Sequence, residues 1–142
     1  MSSILVVEDD AAMRELLVKV LRQNGFAAVE ASGGEDALKL LATSNFDLLL
    51  SDIRMSPMDG LGLASQAKEL SPVTMVLLMT AYGEENGDRE ARTAGADGYL
   101  SKPFAMSRLL ATVRALLEET AWGQGLKIRE RTQVRLTERR NR

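Results

Sequence analysis

The sequence predicts an α/β fold, a doubly wound five-stranded parallel sheet with helices on both faces. Five short apolar runs alternate along the chain with segments in which apolar residues recur every three or four positions. The runs lack the apolar-polar alternation of a strand with one face in water, so we expect each strand to be covered on both sides. Parallel strands need right-handed helical crossovers, which place helices on both faces of the sheet.

The first part of the chain supplies two strands and the helix between them. Ile4 to Val7 is the first predicted strand, and Phe26 to Ala31 is a weaker second strand, expected at an edge of the sheet. Asp10 is placed to cap the intervening helix, and Asn24-Gly25 is placed to end it. The apolar positions of that helix are Met13, Leu16, Leu17, Val20 and Leu21.

The middle of the chain repeats the alternation. A second helix begins after Gly33-Gly34, and Phe46 to Ser51 forms the third strand. A third helix ends near Leu70, before Ser71-Pro72. Thr74 to Met79 is a continuous apolar run and forms a fourth, buried strand.

The fourth helix is the weakest element. It spans Glu84 to Thr93, contains Gly87 and offers little apolar surface, so we expect it to be mobile. The fifth strand, Gly98 to Ser101, precedes a strongly amphipathic fifth helix. The buried positions of that helix are Met106, Leu109, Leu110, Val113, Leu116 and Leu117.

Residue content limits the chemistry that the chain can perform. Cysteine and histidine are both absent, which excludes disulfides, thiolate nucleophiles, Cys/His zinc sites and Ser-His-Asp catalysis. Carboxylate, hydroxyl and amine chemistry remain. No segment approaches the ~20 apolar residues of a membrane span. Met1-Ser2-Ser3 lacks the features of a secretory signal, so we expect a cytoplasmic protein with no membrane contact.

The net charge of −2 is unevenly distributed along the chain. Residues 121–142 hold seven basic and two acidic side chains, so residues 1–120 carry a net charge of −7. We interpret residues 1–120 as one domain and residues 121–142 as a basic C-terminal tail or linker. We favour a flexible linker; contact with nucleic acid or an acidic partner, and an extension packed on the fifth helix through Trp122, remain open.

Polar residues follow four of the five predicted strands. Glu8 and Asp9 follow the first strand, Asp52 the third, Thr80 the fourth and Lys102 the fifth. Functional sites of open parallel sheets lie beyond the carboxyl ends of the strands. We therefore expect these side chains to converge at one end of the sheet.

Three carboxylates at one place repel each other, by about 4 kcal/mol for a pair 4 Å apart at an effective dielectric near 20. A hard divalent cation removes that cost, and an all-oxygen site suits Mg²⁺. Asp52 could then attack a phosphoryl group as a nucleophile and form an acyl phosphate. Lys102 would pair with one phosphoryl oxygen and Thr80 with another. Tyr99 and the weak fourth helix would form the bistable element that responds.

Five motifs, in this order and spacing, resemble the receiver domain of bacterial two-component response regulators, and the chemotaxis single-domain regulators in particular. The resemblance covers residues 1 to about 120 and implies a flavodoxin-like (βα)5 fold with strand order 2-1-3-4-5. The motifs are Val6-Val7-Glu8-Asp9-Asp10, Asp52-Ile53-Arg54-Met55, Met58-Asp59-Gly60, Thr80-Ala81, and Ala94 through Lys102-Pro103-Phe104.

The resemblance assigns roles at the site. It implies that Asp52 accepts a phosphoryl group from a histidine kinase or phosphotransfer protein of a phosphorelay. Glu8, Asp9, Asp52 and the main-chain carbonyl of Arg54 would hold Mg²⁺, and Lys102 would contact the phosphoryl group. The chain would be a signalling switch and not an enzyme, catalysing only its own phosphorylation and dephosphorylation.

The resemblance also implies how the signal leaves the site. Thr80 and Tyr99 would be the switch pair, and a homodimer could form through the fourth helix, fifth strand and fifth helix; the output partner is not identified. A cis peptide bond is implied at Lys102-Pro103. The family usually has proline directly after the methionine of the Asp52 loop, whereas here Ser56 stands between Met55 and Pro57.

Two other classes of protein are less consistent with these residues. An aspartate-nucleophile phosphatase would carry a second Asp where this chain has Arg54. Gly60-Leu61-Gly62 resembles part of a dinucleotide-binding loop but lacks the third glycine. The main alternative is a receiver-like binding or dimerisation scaffold that does not need phosphorylation. The three clustered carboxylates argue against it.

Overall fold

The structure is a computed structural model that describes residues 1–81 and 87–123. Its strands are β1 (Ser3–Val7), β2 (Ala27–Ala31), β3 (Leu48–Asp52), β4 (Met75–Thr80) and β5 (Gly98–Ser101). Its helices are α1 (Ala11–Gln23), α2 (Gly34–Thr43), α3 (Gly60–Leu70), α4 (Gly87–Thr93) and α5 (Met106–Gly123). All strand pairs are parallel and the order is β2-β1-β3-β4-β5, which confirms the predicted fold and the edge position of β2.

Two apolar layers cover the sheet, one on each face. Leu5 and Val7 of β1 point into the layer that α2, α3 and α4 cover. Ile4 and Val6 point into the opposite layer, which α1 and α5 cover. The central strands β1, β3 and β4 are enclosed in this way, as the sequence indicated. The expectation that each strand is covered on both sides was wrong for β2, because its position at the edge of the sheet leaves Val29 and Glu30 exposed.

Helix α1 begins as predicted, and only part of its apolar stripe is buried. The Asp10 carboxylate caps it, accepting hydrogen bonds from the main-chain nitrogens of Ala12 at 3.1 Å and Met13 at 3.5 Å. Leu16, one of the apolar positions of this helix, is 44% exposed. The buried residues are Leu17, Val18 and Leu21. A helix turns about 100° per residue, so Leu16 lies at the margin of a buried stripe centred on these three positions.

The third strand begins and ends later than predicted. It starts at Leu48 and includes Asp52, which lies opposite Met79 of β4. The Ile53 main-chain nitrogen extends this pairing by donating to the Met79 carbonyl at 2.8 Å. Asp52 and Thr80 are therefore the last residues of their strands, so the sheet fixes their backbones directly.

Helices α4 and α5 meet the limits of the described residues. Helix α5 continues to Gly123, three residues beyond the predicted domain end. Residues 84–86 of the predicted fourth helix and residues 124–142 of the predicted tail lie outside the described ranges. The mobility of the fourth helix and the role of the tail therefore stay predictions. Among the described helices, none combines the length and the apolar content needed to span a membrane.

A buried ion pair fastens the amino end of the sheet. The Asp97 carboxylate, just before β5, accepts hydrogen bonds from Lys68 Nζ at 2.6 Å and from the Val76 main-chain nitrogen at 2.9 Å. Lys68 Nζ also donates to the Thr74 carbonyl at 2.8 Å. These contacts join the end of α3 to the starts of β4 and β5.

Candidate functional site

The register of the strands brings the predicted site residues to one end of the sheet. Val7 lies opposite Ser51, so Glu8 emerges level with Asp52. Thr80 lies opposite Ser101, and the main-chain nitrogen of Lys102 donates to the Thr80 carbonyl at 2.7 Å. The predicted convergence is therefore present at the carboxyl end of the sheet.

Three carboxylates form an acidic cluster there, made of Glu8, Asp9 and Asp52. One oxygen from each lies within 4.8 Å of the others. Glu8 is 1% exposed and Asp52 is 8% exposed, whereas Asp9 faces solvent. The cluster thus combines two buried negative charges with one that can be approached from outside.

Lys102 connects the two buried carboxylates. Its Nζ lies 3.0 Å from Glu8 Oε1 and 3.3 Å from Asp52 Oδ2. Burial raises the pKa of Glu8 and the charge of Asp52 raises it further, against the effect of the Lys102 hydrogen bond. Burial works to lower the pKa of Lys102, but its hydrogen bond to Glu8 and the charge of Asp52 outweigh burial and raise it. The lysine therefore stays charged beside the carboxylates.

The loop after β3 packs tightly against the backbone of Asp52. The Gly60 main-chain nitrogen donates to the Ile53 carbonyl at 2.8 Å. A Cβ atom at Gly60 would collide with the Asp52 carbonyl and lie 2.8 Å from the Ile53 Cα. Asp59 caps α3 by accepting from the Gly62 main-chain nitrogen at 2.9 Å. Glycine at position 60 is what allows the helix to start against the strand.

The loops around the site contain two cis peptide bonds. The bond at Lys102-Pro103 is cis, as the resemblance implied, and so is the bond at Ser56-Pro57, where the sequence departs from the family pattern. Arg54 lies in this loop, two residues after Asp52, with an exposed side chain. The role of its carbonyl stays a prediction.

Thr80 and Tyr99 are in contact. Thr80 is fully buried, and its side chain hydrogen-bonds with the half-buried Tyr99. A Cβ atom at Gly87 of α4 would collide with the Tyr99 hydroxyl. Burial raises the pKa of Tyr99, and the charge of Asp88 adds to this, while the bond with Thr80 acts in the opposite direction. The predicted switch pair thus links β4 to α4.

Sequence reasoning did not assign a site role to three residues that shape the site. Gly60 and Gly87 matter because they lack a side chain, and their partners lie on other elements of the fold. Arg14 donates from Nη1 to the Glu8 carbonyl at 2.7 Å. Nothing in the sequence distinguishes Arg14 from other polar residues of α1, so only the fold could reveal it.

The donor set of the acidic cluster fits Mg²⁺. Three carboxylates and one ammonium group leave two net negative charges, which one divalent cation balances. Mg²⁺ binds oxygen ligands at about 2.1 Å, so ligands on opposite sides lie about 4.2 Å apart. Adjacent ligands lie about 3.0 Å apart. The oxygen atoms of the cluster, which lie within 4.8 Å of one another, would draw together to bind the ion.

Comparisons with known proteins agree with the geometry. The family model for the response regulator receiver domain matches residues 4–114. The response regulator MprA of Mycobacterium sp. (strain KMS) is 39% identical over 122 residues, which cover 86% of this chain and 53% of MprA. MprA of Mycobacterium ulcerans is 40% identical over 117 residues. The chain spans about half the length of these curated relatives.

Solved structures show the same architecture. A CheY-like receiver domain protein from Methanospirillum hungatei JF-1 has a TM-score of 0.81 and 28% identity, covering 85% of this chain and 97% of that chain. The response regulator TrrA of Thermotoga maritima, solved in complex with Mg²⁺-BeF, has a TM-score of 0.74 and 35% identity. That match covers 82% of this chain and 99% of that chain. The chain therefore belongs to the response regulator receiver domain family.

Proposed function

We propose that this chain is a phosphoryl-accepting receiver in which Asp52 takes the phosphoryl group from a histidine kinase or phosphotransfer protein. The observation that carries the proposal is the clustering of Glu8, Asp9 and Asp52 at the carboxyl end of the sheet, where Lys102 pairs with Glu8 and Asp52. A binding scaffold would gain nothing from this concentration of negative charge, because each further carboxylate adds repulsion.

The reaction is a phosphoryl transfer to the Asp52 carboxylate. A carboxylate oxygen of Asp52 bonds to phosphorus while the bond from phosphorus to the donor nitrogen breaks, and the donor imidazole leaves with that electron pair. The β3 backbone and Gly60 hold Asp52 in place. Lys102, already 3.3 Å from Asp52 Oδ2, is placed to pair with a phosphoryl oxygen. Positioning and charge neutralisation supply most of the catalysis.

Mg²⁺ is the proposed cofactor. Glu8, Asp9, Asp52 and the Arg54 carbonyl would hold it, and when bound it neutralises charge that develops on the phosphoryl oxygens. The fit of the cluster to oxygen ligation supports this assignment. The Mg²⁺-BeF complex of TrrA, a family member 35% identical to this chain, supports it as well.

Phosphorylation would reach a partner through Thr80 and Tyr99. The Asp52 phosphoryl group carries roughly −1.5 to −2 charge and new acceptor oxygens, which would compete for the Thr80 hydroxyl. Thr80 hydrogen-bonds with Tyr99, and Tyr99 packs on α4. Loss of the Thr80 hydrogen bond would therefore change the contacts of α4 and β5. We propose that α4, β5 and α5 form the output surface, for a second copy of the chain or for a downstream domain.

The test is phosphorylation by a small acyl-phosphate donor with Mg²⁺, followed by intact-mass measurement. Wild type should gain one phosphoryl group and Asp52→Asn none. Asp59→Asn is the matched control at the same end of the sheet, because asparagine caps helices as well as aspartate. A gain in Asp52→Asn would overturn the acceptor assignment. No gain in wild type, with Mg²⁺ binding confirmed by calorimetry, would favour the scaffold that needs no phosphorylation.

A further inference from the structure

We infer that Arg14 is a positioning residue of the acidic cluster and acts through the peptide group that joins Glu8 to Asp9. The inference rests on the proposed function, because it concerns how the chain holds Mg²⁺. Arg14 contacts none of the oxygen atoms assigned as ligands, so any orienting effect that it has on them must pass through the backbone.

The Arg14 side chain joins three elements. It projects from α1, and its Nη1 donates to the Glu8 carbonyl at 2.7 Å. Its Nε lies 3.2 Å from Glu30 Oε1 on β2. Only 16% of the Arg14 side chain is exposed, whereas that of Glu30 is 45% exposed. Arg14 is therefore held between the loop after β1 and the edge strand.

The planarity of the peptide bond transmits this contact to the cluster. The Glu8 carbonyl and the Asp9 nitrogen belong to one rigid plane. A charge-assisted hydrogen bond at the oxygen therefore fixes the direction in which the chain enters Asp9. Asp9 is the exposed member of the cluster, and no hydrogen bond in the described contacts holds its carboxylate. Its direction depends on the backbone more than that of Glu8 or Asp52.

The two buried carboxylates have their own restraint. Lys102 binds Glu8 Oε1 at 3.0 Å and Asp52 Oδ2 at 3.3 Å. Lys102 thus orients the carboxylates of Glu8 and Asp52 by direct contact, and Arg14 orients that of Asp9 through the main chain. Groups that orient metal ligands from behind typically change metal affinity by 10- to 100-fold when removed.

The experiment is calorimetric titration of the full chain with Mg²⁺, in wild type, Arg14→Met, Arg14→Lys and Glu30→Gln. We expect the Mg²⁺ dissociation constant to rise about 10-fold in Arg14→Met. Arg14→Lys, which keeps a donor of reduced reach, should recover part of this loss. Glu30→Gln removes the ion pair that holds the Arg14 guanidinium but keeps the guanidinium itself, so a smaller rise in the dissociation constant is expected. Glu30 is half exposed, so this substitution should not impair folding.

Arg22→Met is the matched control. Arg22 is also on α1, and its guanidinium donates to the Ala28 carbonyl at 2.8 Å and 3.1 Å, at the other end of the helix. Substitution of an arginine with a purely structural role lowers the thermal stability of the protein. Arg22→Met should therefore lower Tm and leave the Mg²⁺ affinity unchanged. At saturating Mg²⁺, Arg14→Met should regain the wild-type extent of phosphorylation.

Two results separate this inference from the proposed function. Wild-type Mg²⁺ affinity in both Arg14→Met and Glu30→Gln would overturn the role of Arg14 and leave the phosphoryl acceptor intact. A wild type that binds Mg²⁺ but gains no phosphoryl group would overturn the proposed function alone, because the affinity series would still report on Arg14. A wild type that binds no Mg²⁺ would overturn both.

Discussion

The two ends of the sheet hold the same kinds of charged group in different proportions. At the amino end, Asp97 has one lysine, Lys68, and a main-chain donor, and the lysine has a carbonyl acceptor in addition. At the carboxyl end, the acidic cluster has three carboxylates, and in the described ion pairs Lys102 is the cation that reaches two of them, Glu8 and Asp52. The first arrangement is closed and balanced, and the second carries surplus negative charge.

This difference separates a stabilising site from a functional one. A buried carboxylate with matched donors belongs to the folded structure, and removing one partner leaves a charge stranded in the interior. A buried carboxylate that outnumbers its cationic partners is repelled by the neighbouring carboxylates. Such an arrangement is typical of a site that binds a cation or performs chemistry. Removing a buried carboxylate should therefore lower stability at the amino end and raise it at the carboxyl end when no cation is bound.

The largest effect is expected from Asp97→Ala. This change strands the Lys68 ammonium group and the Val76 main-chain donor, so the free energy of unfolding should fall by about 3 kcal/mol. Asp88→Ala is the control, because Asp88 forms an exposed pair with Arg92 at 3.3 Å and should change stability by less than about 0.5 kcal/mol. Urea denaturation measures both. Equal effects would contradict the account of the amino end.

Adding a side chain close to the Asp52 backbone should destabilise the protein, unlike removing a charge from the acidic cluster. Gly60→Ala forces the Asp52 backbone to move, so it should cost about 2 kcal/mol and slow phosphorylation as well. At Gly62, in the same turn of α3, the nearest atom to a Cβ would be 3.6 Å away. Gly62→Ala should therefore be neutral, or stabilise α3 by up to about 1 kcal/mol. A neutral Gly60→Ala would show that this close approach is unimportant.

Mg²⁺ should stabilise the carboxyl end specifically. At a concentration ten times its dissociation constant, it should add about 1.4 kcal/mol to the stability of wild type. Asp97→Ala should keep this increment, since Asp97 lies at the opposite end of the sheet, whereas Glu8→Gln should lose most of it. Thermal melts with Mg²⁺ and with a chelator measure the increment. An equal increment in Glu8→Gln would exclude Glu8 as a ligand.

Without Mg²⁺, Glu8→Gln should be more stable than wild type at pH 7, because burial and the charge of Asp52 disfavour the charged form of Glu8. The pKa of Glu8 is raised, so the folded state holds its proton more tightly than the unfolded chain does. Stability due to this proton is therefore present below the ordinary pKa of 4.5 and is lost as the pH rises through the folded pKa. The difference between the two proteins should shrink as the pH falls through the raised pKa of Glu8 towards 4.5, and a difference that grows over this range would contradict the sign.

Sequence reasoning predicted the fold well because the signals were local. The apolar runs of β1, β3 and β4 are unbroken, and the cap at Asp10 depends on residues two and three positions away. The convergence of Glu8, Asp52 and Lys102 also followed, because parallel strands place their carboxyl ends together. One topological rule was enough to bring distant residues to one place.

Other features could not be read from the sequence because they depend on packing between elements. The exposure of Leu16 depends on the rotation of α1 about its axis. Adjacent leucine and valine residues form a wide apolar stripe, which does not determine this rotation. The importance of Gly60 comes from the absence of a side chain beside the Asp52 carbonyl. The contact of Arg14 with the Glu8 carbonyl involves a main-chain atom, which no residue pattern records.

Locating the phosphoryl group tests the central claim most directly. Borohydride reduces an acyl phosphate to a homoserine residue, and trypsin should release the segment from Leu40 to Arg54, which contains both Asp47 and Asp52. After incubation with Mg²⁺ and an acyl-phosphate donor, fragment masses should place homoserine at position 52 and leave Asp47 unchanged. Homoserine at position 9 or 10, or at position 47, would contradict the assignment of Asp52 as the acceptor.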